Sequence, residues 1–520
     1  MDDLTASQDT VLAFLGDPAS HGGHAVKRID THAASVFLAG DRAIKIKRAV
    51  RFPFLDFSTL EKRKAALMAE FEVNQAFAPQ IYRRVLPIGR GAGGRLVLDG
   101  DGDAVEWALE MRRFDDSLTL DRLAEVGRID DALADKLAAA VAAMHARAPI
   151  ADAGRWLAAV VEFIDQNTAA FRAMPDLFAG DAVAGLDTAS RGAFARSRPL
   201  LVARGALGLI RRGHGDLHLG NIVALDGEPV PFDALEFDPV IASGDLLYDL
   251  AFLLMDLVER RLNASANIVL NGYLTRTHRA EDYDGLAALP LFLSLRAAIR
   301  AKVTAARMAH AAAAEHAAIS QAAQTYFDLA VRVLAPSRPT LVAIGGLSGT
   351  GKSVLARALA PFVAPDPGAV VLRSDVERKL LFGVAPTAQL PEDAYRPEVT
   401  AKVYDGLAEQ AGRIVAAGHS AIVDAVFAQA KERAAIAAVA ARRGGAFRGL
   451  FLTADLATRI ARVGGRAGDA SDADAAVARQ QQSFALRAIE WVTVDASGAP
   501  EQTLRRARAA MLEMPGATTP

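Results

Sequence analysis

Between residues 214 and 238 the chain reads HGDLHLGNIVALDGEPVPFDALEFD, with His214, Asp216, Asn221 and Asp233 set around two short apolar runs. Moving a phosphoryl group from ATP to a hydroxyl needs those parts in that order. A carboxylate, here Asp216, takes or orients the proton of the acceptor. An amide oxygen five residues on, Asn221, and a second carboxylate, Asp233, share the Mg²⁺ that neutralises the phosphates. The runs Ile222–Leu225 and Val230–Phe232, split by Asp226 and Gly227, predict a hairpin that sets the two metal ligands side by side. The alternative, a hairpin whose polar residues are merely solvated, leaves four chemically specified positions at fixed spacing without a reason.

A second constellation lies far downstream. An apolar strand, Thr340–Ile344, runs into Gly346-Leu347-Ser348-Gly349-Thr350-Gly351-Lys352-Ser353 and then a helix over Val354–Ala360. This is G-x-x-x-x-G-K-S in the strand–loop–helix setting it requires. The backbone from Gly346 through Ser348, Gly349, Thr350 and Gly351 curls around a β-phosphate, Lys352 spans the β- and γ-phosphates, and Ser353 holds Mg²⁺ at a helix N-terminus. The next strand, Ala369–Leu372, leads to Asp375 and, three residues on, Arg378. An Asp at that strand tip faces the γ-phosphate across the cleft and serves as base, with Arg378 orienting the acceptor. Asp424, at the end of strand Ala421–Val423, is placed to brace metal-bound waters. For both Asp375 and Asp424 the bland alternative is a helix N-cap. Arg459, Arg462 and Arg466 recur three and four apart on a helix over Leu456–Arg466 and share one face; the bland alternative there is a solvated cationic face.

The elements that position the first constellation lie upstream. Ser35–Leu38 and Ala43–Lys47 flank Ala39-Gly40-Asp41-Arg42, a hairpin signal. Lys45 and Lys47 lie two apart on the second strand and share a face. Ser58–Phe77 reads as a helix opened by a Ser58-x-x-Glu61 capping box, with Leu60, Leu67, Met68 and Phe71 along one side and Glu70 beside it. Val105–Met111 is a strand that runs into Glu110–Arg113, and Ser117–Leu209 carries successive helical patterns. Ala335–Pro339 breaks the last of these helices and links to the second site. A final strand, Trp491–Val494, and helix, Pro500–Met511, close the chain.

Composition sets wider bounds. At 520 residues, with 52% hydrophobic and 23% charged residues, the chain is an ordinary globular protein of three or four compact units. Its 59 basic and 61 acidic residues, net −2, argue against a dedicated nucleic-acid surface. No cysteine is present, which excludes disulfides and thiolate metal sites. The acidic N-terminus lacks the pattern of a signal peptide, and no apolar run reaches the length of a membrane span. A cytoplasmic enzyme with no membrane partner is the expectation; the composition says nothing of oligomeric state.

The stretch from His214 to Asp238 resembles the aminoglycoside phosphotransferase-like kinases, a protein-kinase-related group in which Gly215 stands where protein kinases carry Arg. The resemblance implies a bilobal fold, with an N-lobe and hinge over 1–115 and a helical C-lobe over 116–335. It implies that Glu70 holds the phosphate-gripping lysine, with Glu72 as competitor, and it favours Lys45. The protein-kinase pattern of apolar residues before the lysine favours Lys47, so both stand. It also implies that Asp249 braces the catalytic loop. The neighbouring acids Glu236, Asp238, Asp245 and Asp256 could instead line a pocket for a cationic acceptor.

Residues 338–515 resemble the small P-loop kinases, the group of gluconate kinase, shikimate kinase, zeta-toxin and polynucleotide kinase. This implies a P-loop α/β sandwich with a parallel sheet and a lid whose arginines close on the transferring phosphate. RFPFLDFSTLEKR resembles a stretch found where these two kinds of domain are fused. The fold class expected is therefore multidomain, α+β then α/β. The function expected is a two-site phosphotransferase acting on hydroxyls of small molecules. The alternatives are a nucleotide or nucleic-acid end kinase in the second half, or one half acting as an ATP sensor.

Overall fold

The computed structural model describes residues 2–513 except 53, 54, 101, 237, 239, 466–469, 485 and 487. The chain divides into two compact units, Met1–Val160 with Gly205–Leu253, and Val161–Arg204 with Leu254–Pro520. The region 116–335, expected as one helical lobe, is thus shared between them.

In the first unit a helix, α1 (Asp2–Gly16), precedes strands β1 (Val26–Asp30), β2 (Ala34–Ala39) and β3 (Arg42–Lys47). Helix α2 (Leu60–Phe77) follows, then β4 (Tyr82–Arg90), β5 (Leu96–Leu98) and β6 (Ala104–Arg112). The six strands form one antiparallel sheet in the order β1-β2-β3-β6-β4-β5. Strand alternation gives it two different faces. Phe37, Ile44, Ile46, Leu86, Ile88 and Ala108 pack with Val11 and Leu15 of α1. Lys45 and Lys47, one step out of phase with Ile44 and Ile46, share the opposite face, where α2 lies. The cap of α2 is Thr59, whose hydroxyl accepts the Lys62 N–H at 3.3 Å. The box expected at Ser58 does not form, because the Ser58 hydroxyl donates to Asp56 instead.

The stretch that begins at His214 docks on this second face. β7 (Ile222–Leu225) and β8 (Glu228–Pro231) form the expected hairpin, paired from Ile222↔Pro231 to Leu225↔Glu228. Its turn residues Asp226 and Gly227 have φ +53 and +82, the left-handed pair that a two-residue hairpin requires. Val223, Leu225 and Val230 join Leu67, Tyr82 and Leu109 in one core. Each such side chain taken fully out of water contributes about 1.5–3 kcal/mol, so the hairpin is held against sheet and helix by packing. Helix α3 (Asp131–Arg147), capped by Asp130 on the Leu133 N–H at 2.8 Å, brings His145 to the same region. The unit closes on the start of α4 (Leu246–Glu259).

The second unit is built on five parallel strands: β9 (Thr340–Gly346), β10 (Val370–Arg373), β11 (Ala421–Asp424), β12 (Ala446–Thr453) and β13 (Val492–Asp495). Their order is β10-β11-β9-β12-β13, a doubly wound arrangement whose central strands are apolar on both faces. Val342, Ile344, Ile422 and Leu450 pack on one side against Leu355 and Leu359 of α6 (Lys352–Leu359) and Ala507 of α12 (Pro500–Glu513). Helices α8 (Pro397–Ala416) and α9 (Ala430–Arg442) also pack on the sheet. Between them in the chain and the remaining strands run α7 (Ser374–Leu381), α10 (Leu456–Gly464) and α11 (Ala475–Gln480). The edge strand β10 is covered by α5 (Asn263–Thr277), where the Asn267 amide donates to the carbonyls of Pro367 at 3.2 Å and Ala369 at 3.0 Å. Residues expected to belong to a separate lobe thus fall in the same unit as the parallel sheet. Among the described residues no helix is long and apolar enough to cross a membrane.

Candidate active sites

In the first unit the ladder of the hairpin continues one step, with the Phe232 N–H donating to the Asn221 carbonyl at 2.9 Å. Asn221 and Asp233 therefore sit at the adjoining ends of the hairpin, one just before β7 and the other just after β8. Asp233 has φ +60, a conformation that costs a non-glycine residue energy and persists only where neighbours impose it. Two side chains do so. The Tyr82 hydroxyl accepts the Asp233 N–H at 3.0 Å, and Asn74 clamps the next residue, accepting the Ala234 N–H at 2.7 Å and donating to its carbonyl at 3.2 Å. Neither Tyr82 nor Asn74 was among the residues singled out from sequence.

The lysine that faces Asp233 is Lys45. Its Nζ lies 2.6 Å from Glu70 Oε1 and 3.3 Å from Asp233 Oδ1. Lys47 reaches the other oxygen of Glu70 at 2.6 Å and Glu236 at 2.7 Å. Glu70 thus bridges both lysines, while Glu72 is exposed. Burial works against each of these charges and is outweighed. Asp233 and Glu70 hold Lys45 well above the usual lysine range, and the two lysines pull Glu70 down to about 2.

Asp216 is held from one side by Asn221, whose Nδ2 donates to its Oδ2 at 2.9 Å. That bond engages the amide nitrogen and leaves the amide oxygen as the atom Asn221 can offer a cation. The loop beneath is fixed by Asp249, which accepts the N–H groups of His214 and Gly215, each at 2.9 Å, and lies 3.1 Å from His145 Nε2. Gly215 has φ +81 and a Cβ there would meet the Ala242 backbone at 3.0 Å; the loop's path depends on that glycine. His214 is buried, which pushes its imidazole below the usual range, and its Nε2 pairs with the Phe232 carbonyl at 2.9 Å. The bracing role expected of Asp249 is what the geometry shows. Of the other acids weighed for a cation pocket, Glu236 pairs with Lys47, Asp238 and Asp245 cap the N–H groups of Val240 and Leu247, and Asp256 pairs with Arg260 at 3.1 Å.

In the second unit β9 ends in a loop with Gly346 at φ +140, Gly349 at +86 and Gly351 at +92, leading into α6. At Gly349 any Cβ would lie 2.5 Å from the Arg459 carbonyl oxygen, so only glycine fits. Ser353 Oγ donates to Asp424 Oδ2 at 2.5 Å, and Arg373 stands 3.5 Å from the same oxygen. Asp424 is no helix cap, because α9 begins only at Ala430. Asp375 lies in the first turn of α7 and is likewise not its cap. Burial and then Asp424 raise its carboxyl above the usual range, with Lys352 opposing. Lys352, Ser353, Asp375 and Arg378 line one cavity of about 940 Å³, walled further out by Tyr395, Tyr404 and Phe427. Arg378 lies over the Tyr395 ring, 4.9 Å from its centre.

Of the three arginines expected in a lid, the two described ones have different partners. Arg459 is buried, and its guanidinium donates to the carbonyls of Ser348 at 2.8 Å and Ala478 at 3.0 Å, bracing the phosphate loop from behind. Arg462 donates to the Gly498 carbonyl at 2.8 Å, and Arg466 lies outside the described residues. Sequence reading passed over Gln481, which accepts the Ser348 N–H at 2.6 Å and donates to its hydroxyl at 2.9 Å. A lone glutamine in a polar stretch carries no signal of such a role.

Together these features define a protein-kinase-like first half and a P-loop α/β second half with two separate constellations suited to phosphates. The family model described as an AAA domain matches residues 341–487. Uncharacterized protein Rv2004c of Mycobacterium tuberculosis is 30% identical over 491 residues, spanning 92% of this chain and 94% of that one, and the chain belongs to its family. Among solved structures, a choline/ethanolamine kinase family protein from Mesorhizobium loti aligns with 63% of this chain and 99% of its own at 13% identity and TM-score 0.36. A gluconokinase from Sinorhizobium meliloti 1021 aligns with 33% and 91% at 20% identity and TM-score 0.24.

Proposed function

We propose that the chain is an ATP-dependent phosphotransferase with two nucleotide sites, each moving the γ-phosphate to a hydroxyl of a small molecule such as a sugar or amino sugar. The observation that carries the reading is the shared cavity of about 940 Å³, in which the phosphate lysine Lys352, the hydroxyl of Ser353 and the carboxylate of Asp375 face a space large enough for an acceptor. The first half supports it with a parallel set: Lys45 between Glu70 and Asp233, and Asp216 beside Asn221.

Both donor sets suit Mg²⁺. They offer carboxylate, amide and hydroxyl oxygens, and among the described residues no cluster of three or more His, Asp or Glu could hold a metal, so phosphate oxygens would complete the shell. Asn221 and Asp233 would hold the ion in the first site, Ser353 directly and Asp424 through water in the second. The ion, when bound, neutralises charge on the transferring phosphate. The chain's own residues do the rest: Lys45 and Lys352 fix the nucleotide, Asp216 and Asp375 take the acceptor proton, and Arg378 orients the acceptor. Most of the rate comes from this positioning and charge stabilisation. We assign the activity to the cytoplasm.

Incubating the full chain with ATP, Mg²⁺ and a pool of cytosolic metabolites, then searching by mass spectrometry for species heavier by one phosphate, tests the reading. D216N and K352A variants assign each product to a site. A pool unchanged in every sample, with no ADP formed, would contradict it.

A further inference from the structure

The base of the second site is already engaged by a hydroxyl of the chain itself. The Ser471 side chain is hydrogen-bonded to the Asp375 carboxylate, and both residues line the cavity that holds Lys352 and Ser353. The segment is fastened just after Ser471. Asp472 accepts from Lys379 Nζ at 2.5 Å, from the Leu390 N–H at 3.2 Å and from the Tyr395 hydroxyl. Lys379 is 1% exposed, so this ion pair anchors the segment to buried structure. Asp474, two residues further, caps α11 by accepting the Val477 N–H at 2.9 Å. Ser471 is therefore a hydroxyl presented to the candidate base within the cavity of the candidate phosphate loop, which is the relation an acceptor must have.

We propose that Ser471 is itself an acceptor, phosphorylated in cis from the nucleotide held by the P-loop. The inference rests on reading Asp375 as the base of that site. Ser471 Oγ forms a bond to the γ-phosphorus of ATP as the bond from that phosphorus to the β-bridging oxygen breaks. The hydroxyl proton passes to Asp375, and ADP leaves. The product is a phosphoserine beside Asp472 and facing Asp375. Once Asp375 has passed its proton on to water, the added negative charge opposes both carboxylates, which loosens the segment from Asp375 and frees the base for an external acceptor.

The test uses the full chain carrying D216N, which silences the first site, incubated with ATP and Mg²⁺ and read by phosphopeptide mass spectrometry alongside ADP release. The expected result is phosphate on Ser471 approaching one per chain, at a rate independent of protein concentration. D375N should lower that rate by at least about 100-fold, S471A should take up none, and S471T should restore uptake. Should S471A fail to fold, the phosphosite map of the S471-bearing chain decides alone. ADP formation that depends on Lys352 while Ser471 stays unmodified would overturn the inference and leave the second site's reading intact. Labelling in trans, or at another residue instead, would overturn it as well. Absence of any Lys352-dependent ADP would overturn both.

Discussion

Asn271 pairs with Val371 as a neighbouring strand would. Its Oδ1 accepts the Val371 N–H at 2.6 Å while its Nδ2 donates to the Ala369 carbonyl at 3.2 Å. These two backbone groups point to the free side of β10, the outermost strand of the parallel sheet. Unpaired edge groups invite association with other chains, and proteins cover them by several devices; here the side-chain amides of Asn271 and Asn267 from α5 do so. The strand so closed is the one that delivers Asp375, so a helix upstream of the linker is part of what holds the second site's base in place.

Replacing Asn271 with Leu takes this partner from the Val371 N–H, while the Ala369 carbonyl keeps the Asn267 amide. The expected cost is about 1–3 kcal/mol, seen as a lower unfolding midpoint of the second unit. Asn271→Asp keeps the acceptor but loses the donor and should fall between the two. An unchanged midpoint for the Leu variant would show that the pairing contributes nothing.

Asp216→Asn should cut turnover of the first site by about 10²–10⁴-fold while leaving the unfolding midpoint unchanged, because Asn221 can still bond an amide oxygen at that position. Steady-state kinetics in a K352A background measures it. Full activity would remove Asp216 from the role assigned to it.

Lys45 and Lys47 share Glu70 but differ in their second partners, and so should their variants. Lys45→Met should abolish nucleotide turnover in the first site with little loss of fold. Lys47 is 4% exposed and lies between Glu70 and Glu236. Its removal strands buried carboxylate charge at a cost of about 3–5 kcal/mol. Chemical denaturation and ATP turnover of the two variants, compared side by side, distinguish them; equal effects on both readouts would contradict the division.

His419 and Glu70 set two acid steps. His419 is buried, and burial lowers its imidazole to about 4 from an ordinary 6.5. The unfolded chain therefore binds the extra proton first, and stability present above pH 6.5 is lost as pH falls toward 4, by about 3 kcal/mol in all. Glu70, at about 2 against an ordinary 4.5, loses its contribution as pH falls from 4.5 toward 2. Unfolding midpoints from pH 7 to 4 should fall in the wild type and less steeply in His419→Gln. Parallel curves would contradict the assignment.

Much of this was legible in the residues. The hairpin after Asn221 could be read because turn chemistry and two apolar runs agree, and the glycine loop because strand, loop and helix follow one another as its motif demands. What was not legible depends on long-range partners. Alternation put Lys45 and Lys47 on one face but could not distinguish them, since what sets Lys45 apart is its contact with Asp233, 188 residues away. The spacing of Arg459, Arg462 and Arg466 showed a shared helix face without showing that Arg459 turns inward to Ser348. β1, largely exposed along its length, has no buried face to write a periodicity into VKRID. Tyr82, Asn74 and Asn271 act on backbone groups of distant segments, for which their own surroundings in the chain hold no sign.

The account depends most on there being two nucleotide sites of unrelated construction in one chain. Calorimetric titration of the full chain with a non-hydrolysable ATP analogue and Mg²⁺ tests this directly. Two saturable events are predicted, one removed by Asp233→Ala and the other by Lys352→Ala. A single event, or one abolished by both variants alike, would contradict it.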